Sequence, residues 1–364
     1  MAYRAYKVEL HPNNKQKTFF SKCFGTARWC YNYALDKRSK YYDEHHTSLS
    51  HNDVKKMLTQ EKKTTTWLKE VPKSVHRIAM ENCDSAYQKF FKEHKGFPKF
   101  KSKHTAKKSF GLEDNQFKVF TDKIYIAKLG DVRFKEHEYI PIDGVKFISS
   151  TVSERAGRYF VSITVSDGIE IPELINKGDV IGIDLGIKTL ATCSNGMVFD
   201  NPRALRKNLK SLKRKQRELC RRHKGSKNRD KTKKQISKKH YRISCIRQDS
   251  LHKMTTALVR TKPKAIVIED LNVEGMLKNH KLAQALSDVS FGEIRRQLEY
   301  KCKLNGIELY AINRFFPSSK TCNVCGSVKQ DLKLSDRTYR CECGYECDRD
   351  LNASYNIRDY YLTS

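Results

Sequence analysis

Residues 180–192, VIGIDLGIKTLAT, are the stretch whose reading decides the fold. A short apolar run ends on an acid, Asp184, and a second run, TLATC, follows after Gly186. Next come Asn195-Gly196, a strong two-residue hairpin signal, and MVFD. Runs of this length bounded by turn residues predict buried strands. Asp184 therefore stands at the end of a strand.

Two further acids occupy comparable settings. Glu269 closes the apolar run of KAIVIEDLN (264–272), and Asp350 opens a predicted helix in CDRDLNASYNI (347–357). A carboxylate at a strand end or a helix N-terminus is commonly no more than a solvated or capping group. Three in the order strand, strand, helix match an RNase H-like (RuvC-type) site. Magnesium is a hard cation that takes carboxylate and water oxygens, and two such ions about 3.5–4 Å apart serve phosphodiester hydrolysis. Asp184, Glu269 and Asp350 are thus the candidate catalytic residues and magnesium ligands.

Composition points to the same partner. The chain has 364 residues, with 72 Lys+Arg against 41 Asp+Glu and a formal net charge of +31. A polyanion offsets the self-repulsion of that excess, and nucleic acid is the economical choice because phosphate contacts release counterions. A membrane surface would call for a long amphipathic apolar face or a lipidation signal, and the sequence offers neither. No run approaches a membrane span and the start has no apolar signal region, so a soluble, cytoplasmic or nucleoid-associated protein is expected. A hydrophobic fraction of 38% suffices for two or three ordinary cores.

Of twelve cysteines, four are clustered. Cys322 and Cys325 form a CxxCG knuckle, and Cys341 and Cys343 form a CxCG knuckle about one hairpin later. Glycine after each second cysteine permits the tight turn that points thiolates inward. The pattern resembles a zinc ribbon holding one structural Zn²⁺, because four thiolates leave no open coordination position. The second knuckle is one residue shorter than the commoner spacing, and Cys347 stands near enough to be a substitute ligand. Two disulfides are the alternative reading.

Along the chain, residues 2–10 predict a strand. Helical spacing follows through 14–45, in SHNDVKKMLTQ and in VHRIAMENCDSAYQKFFKEHKG, and GFPKFKSK (96–103) breaks it as an extended basic loop. That loop suits phosphate contact, or is a solvated linker. From about Phe110 the period becomes two, and the short strands predict a small β-barrel joined by the opening strand. Residues 203–260 predict a basic helical hairpin whose Leu205, Leu209, Leu212 and Leu219 share one side. Its Lys and Arg face a nucleic-acid backbone or merely solvent. The stretch through MLKNHKLAQALSDVS is read as a connection. Trp29, Tyr31 and Tyr33 sit at helical spacing, as core residues or as base-stacking ones.

GIDLGIKTLAT, IVIEDLNVEGM, NRFFPSSKTCNVCG and CGYECDRDLNASYNI, in this order, together with YRAYKVELHPNNKQ and FGTARWCYNYAL near the start, resemble the OrfB-type proteins of insertion sequences, the TnpB family. The likeness spans nearly the whole chain. It implies an RNA-guided DNA endonuclease with a RuvC-like site, related to miniature type V CRISPR effectors, using an element-derived guide RNA and a short flanking DNA motif on double-stranded target DNA. It implies a multidomain α+β protein: a barrel or wedge domain (1–12 and 107–170), an inserted helical recognition lobe (13–106), a RuvC-like domain (171–312 and 345–364) and a zinc ribbon (313–344). Asp184, Glu269 and Asp350 match the family's triad, with Asp270 and Asp348 as neighbours directed elsewhere or assisting. Some members have lost the acids and act as guided repressors, one alternative here; an unguided RNase H-like nuclease or transposase is the other.

Overall fold

The computed structural model describes residues 3–168, 170–174, 177–333 and 336–363. The chain divides into two compact units, Met1–Glu170 and Ile171–Ser364, each of mixed α and β structure.

In the first unit, β1 (Tyr3–Leu10) is followed by one long helix, α1 (Asn14–His45). Asn13 and Gln16 start that helix with a reciprocal capping box. Helices α2 (His51–Thr64) and α3 (Lys73–Glu93) complete the inserted helices. Six strands follow: β2 (Lys108–Glu113), β3 (Phe117–Val119), β4 (Lys123–Ile126), β5 (Gly130–Arg133), β6 (Lys146–Arg155) and β7 (Arg158–Ser166).

The expected barrel does not close. The strands form two separate sheets, β1-β7-β6-β2 and β3-β4-β5, and among the described residues a single bridge, Leu10 to Phe134, links them. One apolar core, with Val8, Leu112, Ile124, Val132 and Val161, lies beneath both. Strands of three or four residues are too short to carry a continuous ladder around it, so side-chain packing joins the sheets instead. Phe20, Cys23 and Phe24 of α1 enter the same core. Tyr31 lies in a second core with Leu35, Leu58 and Met80, where Trp29 and Tyr33 pack partly buried with rings 5.0 Å apart. Their helical spacing is mainly a packing signal.

The second unit is built on a five-stranded sheet. It contains β8 (Gly178–Leu185), β9 (Thr189–Cys193), β10 (Val198–Asp200), β11 (Pro263–Glu269) and β12 (Glu308–Ile312), in the order β10-β9-β8-β11-β12. The first three strands are antiparallel and close through the Asn195-Gly196 turn, with Gly196 at φ 83°. Strands β8, β11 and β12 run parallel. Between β10 and β11 lies the helical hairpin of α4 (Ala204–Arg221) and α5 (Lys227–Arg260), whose seam contains Leu205, Leu212, Ile236, Ile243 and Ile246. Leu209 and Leu219 are also partly covered, while Lys207, Lys210, Lys213, Arg214 and Arg217 face outward.

The stretch read as a connection contains two helices, α6 (Val273–Leu277) and α7 (His280–Val289), each started by an asparagine cap. Helix α8 (Phe291–Leu304) then packs on α5. After β12 come the ribbon strands β13 (Thr338–Arg340) and β14 (Glu346–Asp348), and the final helix α9 (Arg349–Leu362). Helix α9 crosses β8 so closely that a Cβ on Gly182 would lie 2.2 Å from Ser354 O and 2.5 Å from Arg358 N. Only glycine fits there. No helix among the described residues is long and apolar enough to cross a membrane.

Candidate active site

Register brings the first two acids together. Ile183 of β8 pairs with Ile268 of β11, so Asp184 and Glu269 are the next residues on neighbouring parallel strands. Their Cβ atoms leave the same face, with strands spaced about 4.8 Å apart. That face is the one α9 covers, since Gly182, two residues before Asp184, touches the α9 backbone. Helix α9 packs on it with Ile357 against Val180, Ala265 and Val267. Its first turn delivers Asp350 to the carboxyl ends of both strands.

The electrostatics report this convergence. Burial raises the Asp184 carboxyl well above its ordinary value, and the charges of Glu269 and Asp350 raise it further. Burial also raises Glu269, against the opposing hydrogen bond from Ser318. Ser318 Oγ donates to Glu269 Oε1 at 2.6 Å, which fixes one carboxylate oxygen and leaves the other available. Arg337, a ribbon residue, holds its guanidinium 4.0 Å from Asp350. Such a set of crowded carboxylate oxygens is suited to a hard divalent cation, which would neutralise the repulsion.

The two neighbouring acids have structural partners. Asp348 caps α9, its Oδ1 accepting from the N–H groups of Asp350 at 2.9 Å and Leu351 at 3.0 Å. Asp270 turns away, accepting from Arg295 at 2.9 Å and Arg314 at 2.6 Å.

The cysteine quartet is more tightly gathered than the acids. Among the described residues it is the one group of three or more His, Cys, Asp or Glu whose donor atoms all lie within 4.8 Å of one another. Cys322 and Cys343 sulfurs are 3.8 Å apart and those of Cys325 and Cys341 are 3.6 Å apart. A tetrahedral zinc with bonds of about 2.3 Å would place sulfurs about 3.8 Å apart, so the quartet fits one zinc ion. The shorter CxCG knuckle folds as its longer counterpart does, with Gly326 and Gly344 at φ 74° and 85°. Cys347 lies on β14, outside the quartet. The Ser327 hydroxyl contacts Cys325 at 3.1 Å and Cys341 at 3.3 Å, and it lowers both thiols below their ordinary value.

The ribbon is fastened to α9. Asn323, inside the first knuckle, donates its N–H to Asn352 at 3.2 Å and its amide to Asp359 at 2.7 Å. Asn352 and Asn356 donate in return to Thr321 O at 2.8 and 2.7 Å, and Asn356 also reaches Ser318 O at 2.8 Å. Ser318, Arg337 and these asparagines are site residues that sequence reasoning missed. Only the asparagines left a trace, as repeated amides in DLNASYN.

Comparison with known proteins places the molecule. A relative from Streptomyces pristinaespiralis named "Putative RNA-guided DNA endonuclease" is 37% identical over 360 residues, covering 97% of this chain and 88% of its own. The chain belongs to the TnpB family. A second relative, from Escherichia coli and named "Putative RNA-guided DNA endonuclease InsQ", is 30% identical, with 97% and 91% of the two chains covered. Family models match in three places: residues 160–280 the OrfB_IS605 model described as "Probable transposase", residues 291–357 a "Cas12f1-like, TNB domain", and residues 1–47 a "Helix-turn-helix domain". The described part of the last segment holds β1 and one continuous helix. Among solved structures, a Cas12f1–sgRNA–target DNA complex shares the fold at TM-score 0.59 and 15% identity, covering 95% of this chain and 83% of that one. The CRISPR-Cas_phi3 mini-RNA-guided endonuclease matches at 0.52 and 10%, covering 99% and 92%.

Proposed function

We propose that this protein is an RNA-guided DNA endonuclease that holds an element-derived guide RNA, inspects a short flanking motif on duplex DNA and hydrolyses the target strands at one site. The observation that carries the reading is the convergence of Asp184, Glu269 and Asp350 on one edge of the β8–β11 pair. The names of the two relatives support the guided activity.

The three carboxylates are the ligands for a pair of Mg²⁺ ions, which when bound supply an activated water and relieve charge on the scissile phosphate. Ser318 holds Glu269 in one rotamer, and the Asp348 cap fixes the turn that carries Asp350. Arg337 brings a positive charge beside Asp350, where the phosphate of a substrate strand would lie. Structural zinc at Cys322, Cys325, Cys341 and Cys343 holds the loop that carries Arg337. The exposed cations of the α4–α5 hairpin, the strand-rich part of the first unit and the 96–103 loop bind RNA and DNA backbones. Guide pairing supplies sequence specificity. In the terms of the family, residues 1–12 and 107–170 form the wedge, 13–106 the recognition lobe, 171–312 with 345–364 the nuclease, and 313–344 the ribbon.

The test is to express the protein with its native flanking DNA, sequence the RNA that copurifies, and use that RNA in a cleavage assay. A discrete RNA ending at the element boundary, guided cutting, and loss of cutting with retained RNA binding in Asp184→Ala are the expected results. Random RNA fragments removed by moderate salt would sink the guided reading, and an Asp184→Ala protein that still cuts would sink the assignment of the site.

A further inference from the structure

Three phenylalanines within ten residues of the first unit are strongly exposed: Phe91 at 64%, Phe97 at 50% and Phe100 at 61%. Single exposed apolar residues are ordinary, but a contiguous patch rimmed by charge marks an interaction site. The rings of Phe91 and Phe97 are contiguous through Phe90, and Phe100 stands exposed three residues further along the same loop. Phe91 touches Phe90 with centroids 5.0 Å apart, Phe90 touches Phe97 at 5.4 Å, and Tyr87 faces Phe97 at 5.7 Å, edge to face.

The loop that presents them is built, not loose. Pro98, between Phe97 and Phe100, is buried. Asn32 of α1 grips Lys101 twice, accepting from its N–H at 2.8 Å and donating to its carbonyl at 3.0 Å. The Lys101 ammonium sits 3.5 Å above the Tyr31 ring. The helix end is fixed as well, with His94 in the left-handed region and Lys95 N–H returning to Lys89 O. Holding the loop at Lys101 and burying Pro98 leaves Phe97 and Phe100 facing water. Lys89, Lys92, Lys95 and Lys99, all exposed, are interleaved with these phenylalanines along the chain, with Glu93 4.0 Å from Lys95.

We propose that Phe91, Phe97 and Phe100, with these lysines, form a stacking platform for unpaired nucleotides. Every base has a π-face, so aromatic stacking beside backbone-tracking cations binds single strands with little sequence preference. A purely apolar ligand leaves the lysines unmatched, whereas a nucleotide supplies a flat ring face and a phosphate together. The inference rests on the nucleic-acid role proposed above for the 96–103 loop and adds base stacking to it, and it is testable apart from cutting because the platform needs neither the acids nor a divalent metal.

The test uses the full-length chain without added divalent metal and short single-stranded oligonucleotides carrying 5-iodouracil, one set RNA and one DNA. After near-ultraviolet irradiation, cross-linked peptides are mapped by mass spectrometry. Adducts on Phe91, Phe97 or Phe100 are expected, and the stronger arm identifies whether RNA or DNA occupies the platform. Phe91→Ala/Phe97→Ala should cut the yield there about tenfold while leaving affinity for an abasic oligonucleotide unchanged. Phe97→Leu, which keeps apolar bulk without a π-face, should lower the yield in a protein that folds normally. Adducts confined to other regions, or an undiminished yield in these variants, would overturn the proposal. So would a dimer that the double alanine variant converts to monomer, since a second copy would then be the occupant.

Discussion

Gly182→Ala isolates the contact on which the candidate site depends. The added Cβ would lie 2.2 Å from Ser354 O, a backbone atom of α9 that no rotamer change can move aside. A carbon and a carbonyl oxygen touch at about 3.3 Å, so α9 must withdraw by about 1 Å or β8 must bend. Overpacking of this kind costs about 1–3 kcal/mol. In a unit of this size that lowers the melting temperature by about 2–12 °C. Asp350 travels with α9 while Asp184 and Glu269 stay with the sheet, and a misplacement of about 1 Å at a reacting centre costs about a hundredfold in rate. Thermal melting and a guided cleavage assay read the two effects, with RNA binding as the control. A variant that melts within a degree of the parent and cuts at the parent's rate would refute the close crossing of α9 over β8.

The raised carboxyls make the metal-free protein sensitive to pH. A carboxylate whose folded pKa lies above its unfolded value favours the folded state at low pH, and that advantage disappears as pH rises from the ordinary carboxylate range through the raised folded values of Asp184 and Glu269. Asp184→Asn should therefore raise the melting temperature near neutral pH without divalent metal while abolishing cleavage; a lower melting temperature would contradict the burial and crowding of this acid. If magnesium binds at these acids as proposed, it competes with protons there, so its affinity should fall as pH drops, which calorimetry in two buffers of different ionisation enthalpy can detect as proton release. Asp348→Ala removes the α9 cap and should cost about 1 kcal/mol, read by denaturant unfolding, with a loss of cleavage that Asp348→Asn partly restores. Removing zinc, or Cys325→Ser, should expose the amides of residues 350–359 to hydrogen exchange as well as those of the ribbon; exchange confined to the ribbon would show that the Asn323 contacts do not hold α9.

Much of the second unit was legible because its signals are local. An apolar run closing on Asp184, the Asn195-Gly196 turn, and two cysteine knuckles each state their conformation within a few residues. The first unit was less legible because its organisation depends on pairing between distant strands. Nothing in KIYI or GDVR states that they pair with each other and with Phe117–Val119 rather than continuing around a barrel. Helices α6 and α7 escaped because their apolar stretches are short and interrupted by asparagine and glycine. Ser318 and Arg337 stand on loops without periodicity, so their approach to Glu269 and Asp350 exists only after folding.

The ribbon's place in the chain also orders events in time. As the polypeptide grows, Asp184 and Glu269 can meet as soon as β11 docks beside β8. Asp350 cannot join them until the ribbon has been made, because the same turn that ends the ribbon begins α9. A nascent, nicked or prematurely terminated chain that stops within the ribbon carries the basic surfaces and two of the acids, and still lacks the third. On the function proposed above, the surfaces for holding nucleic acid are therefore synthesised before the set of acids for cutting it is complete.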